Sequence, residues 1–385
     1  SPMTPGGPEA GSGRRSTAIR AAVAGLLATL ALAAVACSGT GAGTRASAPD
    51  PTSCPARRTA SLQLPSAKGL NYGTPPAPNG DYLGLTWLRS DLGSDDNWPS
   101  AKRGLEADLQ YIQQEHLGQV LRVFVGLDQI IVWNRQQQFQ RLDASSLDNF
   151  REALQMFRSH GLRVVIVLFD QEEQSSPGNF RFQALDGHHP ALRTGYLEAA
   201  ADFLRAFGSD PTVAAWDLFN EPYNSLGRDG GLATPPATDP VSPGYSDQVV
   251  HAWMRDLYRV ATCAAPTAWF TFSDATALSG SNPDIALYAD CVDYYDIHVY
   301  ENDPQVPDWA AALHKPFILG EVGSPRTGSD YHVDQSLNSS AVRFWLARGP
   351  AAGARTVLVQ DEKGTVYAPD HTRLTPTGTA LAEME

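Results

Sequence analysis

Two glutamates carry the first chemical signal in this chain. Glu221 lies in the stretch "WDLFNEP", Trp216–Pro222, and Glu321 in "KPFILGEVG", Lys315–Gly323. Each follows an apolar run that reads as a buried strand, so each strand ends on a carboxylate. Alone, a Glu after a strand is equally well explained as a cap on the next helix. A pair has a further use. Two carboxylates across a cleft can divide labour, one donating a proton while the other, ionised, attacks a carbon or activates water. Other polar residues stand at the ends of similar runs. These are Arg122 in "QVLRVFVG", Asp170 in "LRVVIVLFD", Asn220 beside Glu221, Asp274 in "TAWFTFSD", and His298 and Tyr300 in "VDYYDIHVY". Polar groups converging in an apolar setting are costly unless they are paired or used.

The runs belong to a regular alternation. "AKGLNYG" is a first strand, and "PSAKRGLEADLQYIQQEH" follows with Leu105, Leu109 and Ile112 at helical spacing and Pro99 near its start. After "QVLRVFVG" comes the helix "SSLDNFREALQMFRSHG", with Ser146 as the expected N-cap and Gly161 as its stop. Strand "LRVVIVLFD", helix "HPALRTGYLEAAADFLRAFG" and strand "TVAAWDLFN" continue the series. Helix "YSDQVVHAWMRDLYRVATCA", strands "TAWFTFSD" and "VDYYDIHVY", short helix "PDWAAALH" and strand "KPFILGEVG" come next. Helix "QSLNSSAVRFWLARG", strand "ARTVLVQD" and helix "TPTGTALAEM" complete it. Near-continuous apolar strands alternating with helices predict a parallel sheet covered by helices. Eight such units predict an α/β fold of the (β/α)8 TIM-barrel type, in one domain over 67–385. An open doubly wound sheet would want a Gly-rich phosphate loop after the first strand; "NYGTPPAPNG" has the wrong spacing, and its prolines remove backbone donors. In a barrel the C-terminal strand ends meet at one mouth, so Glu221 and Glu321 would face each other there. Paired carboxylates so placed are what glycoside cleavage requires.

Composition narrows the partners. The chain has 385 residues, 42% of them hydrophobic, and a formal net charge of −13, which argues against nucleic acid or an anionic membrane as the main partner. Arg14, Arg15 and Arg20 precede the run Ala21–Cys37, "AAVAGLLATLALAAVAC". A basic segment, an apolar core and small residues describe a secretory signal, and about 16 apolar or small residues are short for a span of about 20. The ending "AVAC" resembles a bacterial lipoprotein signal, with Ala34 where Leu is usual and Cys37 as the lipidation candidate. Lipidation, ordinary secretion and an uncleaved anchor all place the protein outside the cytoplasm. Residues 38–66 are rich in Ser, Gly, Ala, Pro and Thr and read as a flexible tether. In an oxidising compartment Cys263 and Cys291 are a candidate disulfide, and Cys54 has no obvious partner.

"WDLFNEP", "YYDIHVY" and "KPFILGEVG", in that order, resemble the signature of clan A glycoside hydrolases, and most nearly the cellulase-like glycoside hydrolase family 5. The resemblance spans about Ala67 to Glu385. It implies a retaining β-glycosidase needing no cofactor or metal, acting on an oligo- or polysaccharide of glucan or mannan type, most simply as a monomer. It implies Glu221 as acid/base and Glu321 as nucleophile. Asn220 would bond the sugar 2-hydroxyl, Arg122 would support the nucleophile, His298 would touch the acid/base region, and the Tyr300 hydroxyl would orient the nucleophile. Two positions depart from the pattern. Asp170 stands where the family often has His, and Gln360 and Asp361 stand where it usually has a sugar-floor Trp.

Several of these residues have plainer readings. His298 could be a satisfied core histidine, Tyr300 packing, and Arg122 the neutraliser of a buried acid. Trp87, Trp98 and Trp133 fit a sugar cleft or ordinary packing. His188 and His189 lack a spaced partner set for zinc, and Asp95 and Asp96 fit a solvated turn. The long segment Tyr223–Gly244 fits a wall of the site. The alternative function is a catalytically reduced carbohydrate-binding lipoprotein on the same barrel.

Overall fold

The computed structural model describes residues 64, 66–72, 97–170, 184–185, 189–222, 247–275, 288–300, 313–324, 333–361 and 364–384. All lie in the compact unit Ala46–Glu385. Residues 1–37 with Cys37, nearly all of the expected tether with Cys54, Trp87, Asp95, Asp96, His188, the segment 223–244 and most of the short helix expected over 307–314 lie outside the described residues.

Parallel strands build the frame. They are β1 (Ala67–Tyr72), β2 (Val120–Phe124), β5 (Arg163–Phe169), β6 (Val213–Phe219), β7 (Phe270–Thr271), β8 (Ser273–Ala275), β9 (Tyr295–Tyr300), β10 (Phe317–Gly323) and β11 (Ala354–Asp361). The neighbour order is β7-β6-β5-β2-β1-β11-β10-β9-β8, so the first strand pairs with the last. β7 and β8 are two pieces of one stave, separated by Phe272; one pairs with β6 and the other with β9. The sheet therefore closes through its fifth stave into an eight-stave (β/α)8 barrel. Around it run α1 (Asn97–Gln114), α2 (Ala144–Ser159), α3 (Pro190–Phe207), α4 (Asp247–Ala264), α5 (Gln335–Arg348) and α6 (Pro376–Glu383). After the second stave an antiparallel hairpin, β3 (Ile131–Trp133) with β4 (Phe139–Leu142), interrupts the alternation. No helix among the described residues is long and apolar enough to cross a membrane.

The staves are apolar because both faces are covered. Their outer faces and the helices share one large core that includes Leu109, Phe150, Phe203, Trp216 and Trp253. Val120, Val165, Ala215, Tyr294, Ile318 and Leu358 form a separate cluster and fill the lower barrel interior. Leu64 joins that cluster and is buried, so the last part of the expected tether belongs to the fold.

Local details correct two expectations. α2 is capped by Asp143, whose carboxylate accepts the Ser146 N–H at 2.9 Å and the Ser146 hydroxyl at 2.9 Å; Ser146 is thus a buried first-turn residue. Gly161 does stop the helix, in a left-handed conformation with φ of 69°. The Cys263–Cys291 bridge does not form. Cys291 is a free, buried thiol that donates to the Tyr288 carbonyl at 3.3 Å, and Cys263 is disulfide-bonded to a cysteine outside the described residues. Geometry explains this. Cys291 meets His251 at the start of α4, whereas Cys263 is twelve residues further along that helix, about 18 Å away and well beyond disulfide reach. Trp98 donates to Glu152 at 2.8 Å, and Trp133 sets its ring edge-on to Tyr196 at 5.3 Å, so both pack against the core.

Leu64→Ala should destabilise the protein by about 3 kcal/mol in urea unfolding, because it opens a cavity beneath the barrel. A change within error would return residue 64 to the tether.

Candidate active site

Above the apolar layer the interior turns polar. Residues two apart on a strand share a face, so Asp296, His298 and Tyr300 of β9 point the same way as Asn71 of β1, Arg122 of β2 and Asp217 of β6. Arg122 is the centre and has no exposed surface. Its Nη1 donates to Asn71 Oδ1 at 2.9 Å and to Glu321 Oε1 at 2.8 Å. Its Nη2 donates to Asp217 Oδ2 at 2.6 Å, to Asn220 Oδ1 at 2.7 Å and to Ser273 Oγ at 3.2 Å. Its Nε lies 3.2 Å from Asp296 Oδ2, and the Phe124 ring lies 4.8 Å from its Cζ. Burial alone would lower the Arg122 pKa, but Asp296, Asp217 and Glu321 raise it, so the cation is permanent.

Both ends of the expected chemistry hang on this cation. Glu321, 6% exposed, receives Arg122 and Asn71 Nδ2 (2.9 Å) on Oε1 and the Tyr300 hydroxyl on Oε2. Asn71 Nδ2 also donates to Gln360 Oε1, and Tyr72 beside it donates to Asp108 of α1 at 2.5 Å, which anchors the end of the first stave. Glu321 sits at a register shift in β10 opposite His298, next to Gly320. A Cβ at position 320 would come within 1.8 Å of Asp296 Oδ1, so glycine is what lets Asp296 pack against this stretch of β10.

Glu221 follows β6 with a positive φ of 45°, a strained conformation for a non-glycine residue. Its N–H donates to Ser273 Oγ at 3.0 Å, and Ser273 in turn donates to Asn220 Oδ1 at 3.2 Å. The Glu221 side chain then reaches His298 Nδ1 through Oε1. His298 Nδ1 is also 3.5 Å from Glu321 Oε2. One oxygen of Glu221, one of Glu321 and one ring nitrogen of His298 all lie within 4.8 Å of one another. Burial pushes His298 down to about 3, against the pull of Glu321 and with Arg122 adding to the fall, so the imidazole is neutral at ordinary pH.

Of the expected site residues, Arg122, Asn220, Glu221, His298, Tyr300 and Glu321 form this one connected set. Asp170 joins at its edge, accepting from Asn220 Nδ2 at 3.4 Å. Asp274 instead receives the Tyr288 hydroxyl at 3.0 Å. At the end of β11, Gln360 faces the cluster through Asn71, and Asp361 accepts the Val366 N–H at 3.1 Å, closing a turn. Sequence reasoning missed Asn71, Asp217, Ser273 and Asp296. The period-2 pattern Asp296, His298, Tyr300 was the available signal for the last.

The charges do not cancel. One guanidinium faces Asp217, Asp296 and Glu321 in a dry interior. Asp296 is pushed up to about 8 by burial, opposed by Arg122 and reinforced by Asp217 and Glu321. Asp217 is raised by burial too, against Arg122. A folded-state pKa above the unfolded one means that the contribution of Asp296 to stability is full in acid and lost as pH rises through about 8. Outside the barrel, His251, Asp290 and Cys291 also converge, but His251 pairs with Asp290 at 2.8 Å and burial holds the Cys291 thiol at about 12.

No family model and no curated protein matches the chain. Solved structures do match its fold. A β-mannanase from the blue mussel Mytilus edulis superposes with a TM-score of 0.57 at 14% identity, covering 82% of this chain and 90% of that one. A β-1,4-D-mannanase from Cryptopygus antarcticus gives 0.58 at 15% identity, covering 82% and 88%. A GH5_18 protein from Streptomyces cattleya in complex with Manβ1-4GlcNAc gives 0.53 at 16% identity, covering 82% and 79%. The chain therefore shares the (β/α)8 barrel of these glycoside hydrolases; identities this low carry the fold and nothing finer.

Arg122→Met should cost about 3–5 kcal/mol in urea unfolding, because it strands a cluster of three buried carboxyl groups without their cation. Without the cation those carboxyls hold protons to higher pH when folded than when unfolded, so the variant should regain stability as pH falls from about 8 toward 5. A variant as stable as wild type, with no such pH dependence, would remove Arg122 as the organising charge.

Proposed function

We propose that the protein is a retaining β-glycoside hydrolase that cleaves a β-linked glycan of mannan type by double displacement. The observation that carries this is the close approach of Glu221 and Glu321, with oxygens within 4.8 Å of each other. Retaining enzymes keep their carboxyl groups about 5–5.5 Å apart, whereas inverting ones leave roughly 6.5–9.5 Å for a water. Mannan is preferred to glucan as the proposed substrate class because β-mannanases are among the proteins that share this barrel.

The geometry assigns the steps. Glu321 Oε1 is committed to Arg122 and Asn71, so Oε2, aligned by Tyr300, attacks the anomeric carbon. Glu221 gives its proton to the departing glycosidic oxygen as the C–O bond breaks, leaving a glycosyl ester on Glu321. Glu221, now a carboxylate, takes a proton from water, the water oxygen bonds to the anomeric carbon, and Glu321 departs as a carboxylate. Neutral His298 holds Glu221 without competing as a charged acid. Asn220 Oδ1 is locked by Arg122 and Ser273, which leaves Nδ2 to donate toward a sugar hydroxyl near Asp170. Action outside the cytoplasm, with the chain secreted or lipid-anchored at Cys37, is the reading that the basic and apolar pattern of residues 1–37 supports.

An aryl β-mannoside and β-glucoside panel should show turnover that Glu321→Ala lowers by about 10³-fold or more. A 2-fluoro-glycoside inactivator should label Glu321 in peptide mass mapping. Label on another residue, or turnover indifferent to Glu321, contradicts the assignment; sugar binding without turnover on any substrate supports the binding-protein alternative.

A further inference from the structure

Asp296 is a buried acid for which the proposed steps have no use. It is fully buried on the strand that carries His298, within electrostatic reach of Glu321. Charged and titratable groups face it from every side. Arg122 comes from the second stave, Asp217 from the fourth and Glu321 from the seventh, with His298 on its own strand, Tyr294 just before that strand and Tyr288 from the turn further back. Ser273, from the fifth stave, is its register neighbour.

The three acids around Arg122 are not equally served. Asp217 takes Arg122 Nη2 at 2.6 Å and the Ser273 and Phe219 N–H groups at 3.2 and 3.3 Å. Glu321 takes Arg122, Asn71 and Tyr300. Asp296 has Arg122 Nε at 3.2 Å and the Gly320 N–H nearby, but neither of its oxygens receives a well-directed hydrogen bond. A carboxylate needs donors, and a carboxylic acid supplies one of its own. The proton that spares this dry cluster its second excess negative charge therefore belongs on the acid with the poorest donors.

We infer that Asp296 works as a neutral carboxylic acid and is a positioning residue, acting on Glu321 through Arg122 and on Glu221 through His298. Neutral, it leaves the Arg122 charge to Glu321 and Asp217. Its Oδ1 lies 3.7 Å from His298 Nε2, longer than a hydrogen bond, and a proton on that carboxyl would electrostatically favour the tautomer with hydrogen on Nδ1, the atom that meets Glu221. Its pKa of about 8 agrees with the donor count. Ionising it would add a second negative charge beside Glu321 and turn an acceptor toward His298. The catalytic consequence rests on the glycosidase reading; the protonation state does not.

Infrared spectroscopy of the wild-type protein tests the protonation state without a substrate. At pH 6 a neutral carboxylic C=O band should be present, should shift on selective ¹³C-aspartate labelling, should fade as pH rises past about 8, and should be missing from Asp296→Asn. Asp296→Asn, which keeps the shape of the neutral acid, should retain near wild-type kcat/KM at pH 6 and lose the decline through about pH 8. Asp296→Ala should lose about 10²-fold in kcat with little change in KM. No aspartate band in wild type, a band removed by Asp217→Asn rather than Asp296→Asn, or an Asn variant as impaired as the Ala variant at every pH overturns the inference. If the Asn variant does not fold, the labelled wild-type titration still decides. A band that behaves as expected in a protein without turnover would uphold the proton on Asp296 and refute the glycosidase reading instead.

Discussion

A guanidinium sealed inside a barrel cannot be left alone, and it cannot be surrounded by charge without limit. Arg122 answers both demands by meeting five staves besides its own: Asn71 on the first, Asp217 and Asn220 at the fourth, Ser273 on the fifth, Asp296 on the sixth and Glu321 on the seventh. Removing such a cation from water costs several kcal/mol, and only a full set of well-placed acceptors offsets it. Those acceptors are thereby fixed too. Glu321 is held to within a hydrogen bond of a charge that cannot titrate away, the preorganisation that the proposed nucleophilic attack requires. The polar layer above the apolar plug is in this sense one object, tuned as a whole.

The other glutamate is held by different means. Glu221 gains its direction from backbone strain, a φ of 45° secured by the Ser273 hydroxyl, and from the neutral ring of His298. Ser273 serves both halves, since it also contacts Arg122 and Asn220. The break of the fifth stave into two short strands around Phe272 falls next to this serine. The rigid element under Glu321 and the strained turn under Glu221 thus meet through one hydroxyl.

Much of the barrel was legible in the sequence because a parallel sheet buried on both faces writes each stave as a nearly unbroken apolar run. Glu221 and Glu321 were legible because each closes such a run. The supporting acids were not. Asp217 and Asp296 sit inside apolar runs, where an acid reads as an anomaly until a cation from another stave is known to reach it. Asn71 in "GLNYG" gave no sign that it would bridge Glu321 and Gln360. The hairpin Ile131–Leu142 escaped notice because its strands are only three and four residues long. The disulfide expectation failed because sequence gives no distance along α4, and twelve residues of helix separate Cys263 from the neighbourhood of Cys291.

The central claim is that Arg122 and its partners hold a nucleophile within direct reach of the anomeric carbon, with no room for an intervening water. Proton NMR of the first-formed product tests it most directly. Cleavage of a β-mannoside should release the β-anomer, which then mutarotates. An α-anomer formed first would mean that water attacks from the opposite face, and would contradict the account.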